Sequence, residues 1–154
     1  IVKTVMNYQV FFNRDVIKSK QLDFDNIKQT VVNVLKEDPS VQYACDMAKA
    51  STESIPEEVK SRIINGYNRE RSGDVVIILK PNFYAHGMKG TDHGAWNSYD
   101  THIPLVFMGW GIKHGATTKQ TFMTDIAPTI AAMLHVQAPN GCVGKSIFGN
   151  NICQ

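Results

Sequence analysis

The residues best suited to chemistry lie in a polar loop between two short apolar runs. The runs cover residues 75–79 and 103–107. Three of the chain's five histidines and two aspartates follow the first run: His86, Asp92, His93, Asp100 and His102. Zinc takes imidazole nitrogens and carboxylate oxygens in groups of three or four, and loops that leave buried strands commonly carry binding and catalytic groups. We therefore expect any chemistry to lie in this loop.

His93 is the strongest single candidate for a metal ligand. It sits in the turn Thr91-Asp92-His93-Gly94, where the glycine lets the backbone pass close to an ion. Because one histidine alone binds no metal tightly, a self-contained site would require the loop to fold back on itself. Such a site would be built from these residues: His86, Asp92, His93 and His102. His93 could instead be a turn histidine bonded to backbone carbonyls.

Composition excludes several other classes of protein. The chain has 154 residues, 43% hydrophobic and 19% charged, with a net charge of +2, which fits one globular domain. Lys and Arg are scattered, so we expect no nucleic-acid partner, and the apolar runs are too short to span a membrane. Cys45, Cys142 and Cys153 do not form a zinc pattern. Cys142 and Cys153 could pair, but buried, inert thiols are the favoured interpretation.

Hydrophobic periodicity predicts strands and helices in alternation. Ile27, Val31, Val34 and Leu35 follow the spacing of one helix face. Residues 75–79 are continuously aliphatic, which is typical of a strand buried on both faces. Strands are predicted at 2–12, 41–47, 75–79 and 103–108, with a turn at 13–15.

Three helices are predicted between and after these strands. The first is capped by Asp23 or Asp25 and stops at Asp38-Pro39. The second follows a capping box in Ser54-Ile55-Pro56-Glu57 and buries one face, made of Val59, Ile63 and Tyr67. The third opens at Thr124-Asp125, tolerates Pro128 in its first turn, and has an apolar stripe made of Ile126, Ile130, Met133 and Leu134.

The predicted order is β-α-β-α-β-loop-β-α. That alternation indicates an α/β (or α+β) fold with a mixed sheet covered by helices. No linker or repeat interrupts the chain, so we expect residues 1–154 to form a single unit.

Four ordered motifs resemble one region of a known family. They are Gly90-Thr91-Asp92-His93-Gly94, residues 99–107 (YDTHIPLVF), Gly109-Trp110-Gly111 and residues 124–130 (TDIAPTI). Together they are similar to the C-terminal part of the alkaline phosphatase superfamily, specifically the PafA-type alkaline phosphatases of the type I phosphodiesterase/nucleotide pyrophosphatase group. The resemblance extends over residues 75–147 and departs from the usual pattern at Asp92, where the family often has Thr.

The resemblance implies a phosphoryl-transfer hydrolase with two zinc ions. His93 would be the last histidine ligand of one zinc, and Asp92 and Asp100 would be possible second-shell partners. The family's Thr or Ser nucleophile, which is transiently phosphorylated, and its remaining ligands precede this stretch. No catalytic residue is therefore assigned here. The chain is expected to be the C-terminal portion of a larger catalytic domain, inactive alone.

The resemblance also implies a phosphate ester substrate and a periplasmic or secreted location. The chain opens at Ile1 without a signal peptide, as a mature or excised segment would. A unit cut from a larger sheet would expose an edge and could self-associate. The alternative from the residues alone is a non-catalytic α/β binding module that uses the loop at 83–96, with Phe83, Tyr84 and Trp96 as anchors.

Overall fold

The computed structural model describes residues 1–84, 96–109 and 111–148. Its contacts group into two compact units, Ile1–Ile103 and Pro104–Gln154. The first unit contains the following elements: β1 (Val2–Met6), β2 (Gln9–Phe12), α1 (Arg14–Ser19), α2 (Phe24–Glu37), β3 (Val41–Asp46), a 3₁₀-helix (Met47–Thr52), α3 (Glu57–Gly66), β4 (Val75–Leu79) and α4 (Ser98–Thr101). The second unit contains a 3₁₀ turn (Met123–Asp125) and α5 (Ile126–Met133).

Four strands of the first unit form one sheet in the order β1-β2-β4-β3. All three pairings among these described strands are antiparallel. The predicted mixed sheet would also contain parallel pairs, and none occurs among the described strands. The α/β class and the helix-covered sheet are confirmed. The strands at 41–47 and 75–79 are also confirmed, with β3 one residue shorter than predicted.

The predicted first strand at 2–12 is instead a hairpin. Asn7 and Tyr8 take left-handed backbone conformations, with φ of 51° and 57°, which is the geometry of a two-residue turn between antiparallel strands. The turn predicted at 13–15 is also wrong, because α1 begins there. The Asn13 side chain accepts a hydrogen bond from the Val16 N–H at 3.1 Å and caps that helix.

The strand β4 has an apolar core on each face. Val75, Ile77 and Leu79 contact the first core cluster, which also contains Val10, Phe12, Ile17, Val32, Val41 and Ala44. Val76 and Ile78 belong to the second core cluster, with Cys45, Met47, Ala50 and Ile63. The prediction of a strand buried on both faces is therefore confirmed.

The helix α2 covers the first core cluster. Asp23 caps it by accepting a hydrogen bond from the Asn26 N–H at 3.1 Å. Asp23 is one of the two residues predicted as the cap, and that prediction is confirmed. The chain leaves the helix at Asp38. Val32 is its most buried residue, whereas Val34 is 61% exposed. The predicted face is thus confirmed at Ile27, Val31 and Leu35, which pack against the cluster. It is wrong at Val34, which is exposed, while Val32 is buried instead.

The helix α3 covers the second core cluster. Its predicted face is confirmed, since Ile63 is buried and Val59 and Tyr67 pack around it. The predicted capping box is wrong, because Pro56 occupies the N-cap position and no side chain caps the helix. Proline has a φ suited to this end of a helix and no N–H to satisfy.

The second unit is held together around α5. Pro128 lies in its first turn, as predicted, and is buried. The predicted stripe is wrong at Ile130 and Leu134, which are exposed. Thr129 is buried instead. Its hydroxyl donates a hydrogen bond to the Asp125 carbonyl and accepts one from the Ile147 N–H at 3.0 Å, so this polar group has partners in the interior.

Residues 103–108 do not form the predicted strand. The segment has no strand assignment, and Val106 and Met108 are 82% and 95% exposed. A β-strand needs a neighbour to accept and donate its backbone hydrogen bonds, and the unit that contains residues 104–108 has no strand among its described residues. The apolar pattern is present, but its partner is absent from the described part of the chain.

Candidate metal-ligand loop

The loop singled out by the sequence starts at the end of β4 and returns at α4. His86, Asp92 and His93 fall outside the described residues, so their assignments stay predictions. The structure does describe Asp100 and His102. Asp100 lies within α4, and His102 is its exposed C-cap, donating its backbone N–H to the Ser98 carbonyl at 2.9 Å.

A tight turn carries the chain from β4 into the loop. The Phe83 N–H donates to the Lys80 carbonyl at 3.2 Å, and Asn82 has a φ of 67°. Proline followed by asparagine with positive φ is the signature of a type II turn. The turn is fixed to the sheet because the Lys80 N–H donates to the Ser40 carbonyl at 2.8 Å.

The returning end of the loop is anchored to the second core cluster. Trp96 is partly buried and packs against that cluster. The Asn97 carbonyl accepts hydrogen bonds from the Asp100 and Thr101 N–H groups, both at 3.0 Å, and from the Thr101 hydroxyl at 3.1 Å. These bonds start α4 immediately after the tryptophan.

Tyr99 joins the two ends of the loop. Its phenolic oxygen accepts the Asn82 N–H at 3.2 Å and the Asn97 side-chain amide at 3.3 Å. Sequence reasoning treated Tyr99 only as part of a family motif. Nothing in the spacing of residues 82 and 99 signals this contact, because it depends on where the turn and α4 lie.

A buried ion pair lies apart from the loop, between α2 and the end of β3. Lys28 Nζ lies 2.6 Å from an Asp46 oxygen and 2.9 Å from an Asp25 oxygen, and 4.9 Å from the centre of the Phe24 ring. Burial acts to lower the pKa of Lys28. Hydrogen bonds and charge attraction from the two aspartates outweigh it, so that pKa is raised.

Cys45 is a buried free thiol on β3, and Cys142 is a partly buried one. Burial, together with the Glu53 and Asp46 carboxylates, raises the pKa of Cys45 to about 11. The expectation of a buried free thiol is therefore confirmed at Cys45, and its inertness stays a prediction. Cys153, with which Cys142 could pair in the less favoured alternative, lies outside the described residues.

Within residues 1–84, 96–109 and 111–148, no group of three His, Cys, Asp or Glu side chains could hold a metal ion. Nor does any helix in those ranges have the length and apolarity to cross a membrane. A complete metal site is thus not formed by the described residues alone.

The chain resembles the alkaline phosphatases in both sequence and fold, which confirms the family resemblance of its motifs. It is 50% identical over 148 residues to alkaline phosphatase PafA of Elizabethkingia meningoseptica, covering 96% of this chain and 27% of that protein. A crystal structure of wild-type PafA superposes with a TM-score of 0.91 at 49% identity, covering 96% of this chain and 29% of the PafA chain.

A further relative carries a different name. The calcium-transporting ATPase of Myroides odoratus is 47% identical over 149 residues, covering 96% of this chain and 27% of that protein. No family model matches the chain. The chain thus spans little more than a quarter of the relatives that it matches.

Proposed function

We propose that this chain is the C-terminal portion of a larger catalytic domain that hydrolyses phosphate monoesters with zinc, through a phosphorylated Thr or Ser. The supporting observation is the match to PafA, at 50% identity over nearly the whole chain and with a TM-score of 0.91. The nucleophile and most metal ligands would come from the remainder of the domain.

His93 supplies one zinc ligand in this proposal. Its imidazole is a donor that zinc accepts readily. Two zinc ions, when bound, would activate the nucleophile and stabilise the leaving oxygen. The part of this chain in the reaction is to present His93, with Asp92 and Asp100 as candidates for orienting the ring.

Replacing His93 by Ala in the complete protein tests the assignment. We expect zinc per molecule, measured by elemental analysis, to fall, and activity to drop by at least the ~10–100-fold typical of lost outer-shell partners. His114→Ala is the matched control, because His114 is an exposed histidine in the other unit. Full zinc content in His93→Ala would contradict the assignment of His93 as a zinc ligand.

The isolated chain should be inactive, because one ligand without a nucleophile cannot transfer a phosphoryl group. Turnover by these 154 residues alone would contradict the proposed location of the chemistry. Since the relatives include an ATPase by name, a phosphate monoester, a phosphate diester and ATP should all be assayed with the complete protein. The proposal expects the monoester to be hydrolysed fastest.

The exposed segment at 103–108 supports the proposal of a larger domain. Its apolar residues would complete a strand if the remainder of the domain supplied a neighbour. Without that neighbour the chain should self-associate through this surface. Light scattering after size-exclusion chromatography measures this, and a monomer at high concentration would count against it. For the complete enzyme we propose a periplasmic or secreted location, which cell fractionation would test.

A second candidate is a binding module that uses the loop at 83–96. Phe83 and Tyr84 favour it, since they are 45% and 41% exposed and aromatic residues are common interface anchors. Trp96 does not support it, because it packs against the second core cluster. If His93→Ala kept its zinc and its activity, the binding module would become the better interpretation.

A further inference from the structure

We propose that Asn140 is a site of spontaneous covalent modification, at which the side-chain amide is lost by cyclisation onto the backbone nitrogen of Gly141. The chain contains two Asn-Gly pairs, Asn65-Gly66 and Asn140-Gly141. Both pairs are exposed, so access to water does not distinguish them. Their backbone structure does, and it assigns the reaction to Asn140. This inference is independent of the proposed metal and phosphate chemistry.

The reaction needs only the two residues of the pair and water. The Gly141 nitrogen loses its proton and attacks Cγ of Asn140. A C–N bond forms, the Cγ–Nδ2 bond breaks, and the amide nitrogen takes up the proton and leaves as ammonia. Water then opens the cyclic imide at one of its two carbonyls, which gives an aspartate or an isoaspartate at position 140. No oxidant or reductant takes part. Glycine favours the attack because no Cβ shields its nitrogen.

The second pair lies in a turn whose own hydrogen bond does not use the attacking nitrogen. In the turn from Pro139 to Cys142, the closing bond runs from the Cys142 N–H to the Pro139 carbonyl at 3.1 Å. Gly141 has a φ of 75°, as the third residue of a type II turn does. The Gly141 N–H belongs to the central peptide, which takes no part in the closing bond. The turn therefore leaves this nitrogen available.

Little opposes the backbone rotation that brings the Gly141 nitrogen to the Asn140 side chain. Residues 134–141 are all exposed, Cys142 is partly buried, and Val143 is 57% exposed. Rotation at Asn140 breaks the closing bond of the turn and uncovers little apolar surface. Segments with few buried contacts open at a low free energy. We therefore expect the reactive conformation to be reached by local fluctuation, without unfolding of the protein.

The first pair is held by a helix and by packing on both sides. Asn65 and Gly66 are the last two residues of α3, where the helical pattern bonds the Gly66 N–H to the carbonyl four residues earlier. Tyr67 follows directly, packs against the second core cluster and donates its N–H to the Ile64 carbonyl at 3.3 Å. Ile63, on the preceding side, is buried. Rotation at Asn65 would break the helical bond and pull Tyr67 away from the cluster.

Peptide mapping of the complete protein by mass spectrometry measures both positions in one sample. After incubation at neutral pH, we expect position 140 to convert about tenfold faster than position 65 or more, because about 1.4 kcal/mol of additional opening free energy produces that factor. Conversion should quicken as pH rises, since the attacking nitrogen must lose its proton. In urea, where both pairs lose their surrounding structure, the two rates should converge.

The variant Asn140→Gln tests the assignment to one side chain. Its amide lies one methylene further from the Gly141 nitrogen, so conversion at position 140 should fall below detection. The variant should fold normally because Asn140 is exposed. Asn65→Gln is the matched control and should leave the rate at position 140 unchanged.

Three results would overturn the inference. The first is equal conversion at the two positions in the folded protein, or faster conversion at position 65. The second is an Asn140 that stays intact in the folded protein while it converts in urea. The third is a release of ammonia that Asn140→Gln leaves unchanged. Because none of these measurements involves zinc or a phosphate ester, the proposed function stands or fails separately.

Discussion

Replacing Lys28 by Met should strongly destabilise the chain. The lysine and Asp46 are both 8% exposed, and their charged atoms lie 2.6 Å apart. The substitution would leave the Asp46 carboxylate buried without its cation, and removing one member of a buried pair typically costs about 3–5 kcal/mol. We expect a loss of that size in the free energy of unfolding, measured by urea denaturation of the 154-residue chain and followed by circular dichroism.

Two further variants separate the buried charge from lost packing. Lys49→Met is the matched control, because Lys49 is 55% exposed and 3.5 Å from Asp25, and exposed pairs contribute roughly 0–1 kcal/mol. Adding Asp46→Asn to Lys28→Met should recover part of the loss, since it removes the unpaired charge and keeps the oxygen that bonds the Ala48 N–H. The reasoning is refuted if Lys28→Met costs no more than Lys49→Met.

Two other predictions follow from the shifted pKa values. Since the folded-state pKa of Lys28 is raised, the stability from its protonated form should be fully present below the unfolded value of about 10.4. This stability should decline as pH rises through the higher folded-state pKa. The measurement is the difference in free energy of unfolding between the unmodified chain and Lys28→Met. A difference that already shrinks between pH 7 and 9 would contradict the prediction. Because the pKa of the buried Cys45 thiol is about 11, Cys45 should react with an alkylating reagent at pH 8 far more slowly than Cys142. Mass spectrometry of labelled peptides measures both rates, and equal rates would show that Cys45 is accessible.

Local patterns in the sequence predicted the elements whose causes are local. The Asp23 cap and the end of α2 at Asp38 depend on neighbouring residues, and the continuous aliphatic run at 75–79 indicates burial on both faces. The hairpin turn at Asn7 and Tyr8 escaped prediction because tyrosine rarely takes a positive φ, so the turn lacks the usual glycine signal.

Other features depend on contacts that spacing does not encode. Residues 103–108 have the composition of a buried strand, but pairing requires a neighbour that periodicity cannot reveal. The contacts of Tyr99 with the ends of the loop were missed for a related reason, since one of them reaches Asn82 across seventeen positions. For the candidate site, the residue types and the family resemblance were available from the sequence, and the anchoring of its two ends was not.

The position of β4 links folding to the proposed chemistry. One strand forms a wall of both apolar clusters and then continues, through a single turn, into the segment that carries the histidine. Loosening either cluster would therefore be transmitted along the backbone to the candidate metal-ligand loop. If the proposed function holds, packing defects many residues away would lower zinc affinity, and variants that look purely structural could be found first in a screen for activity.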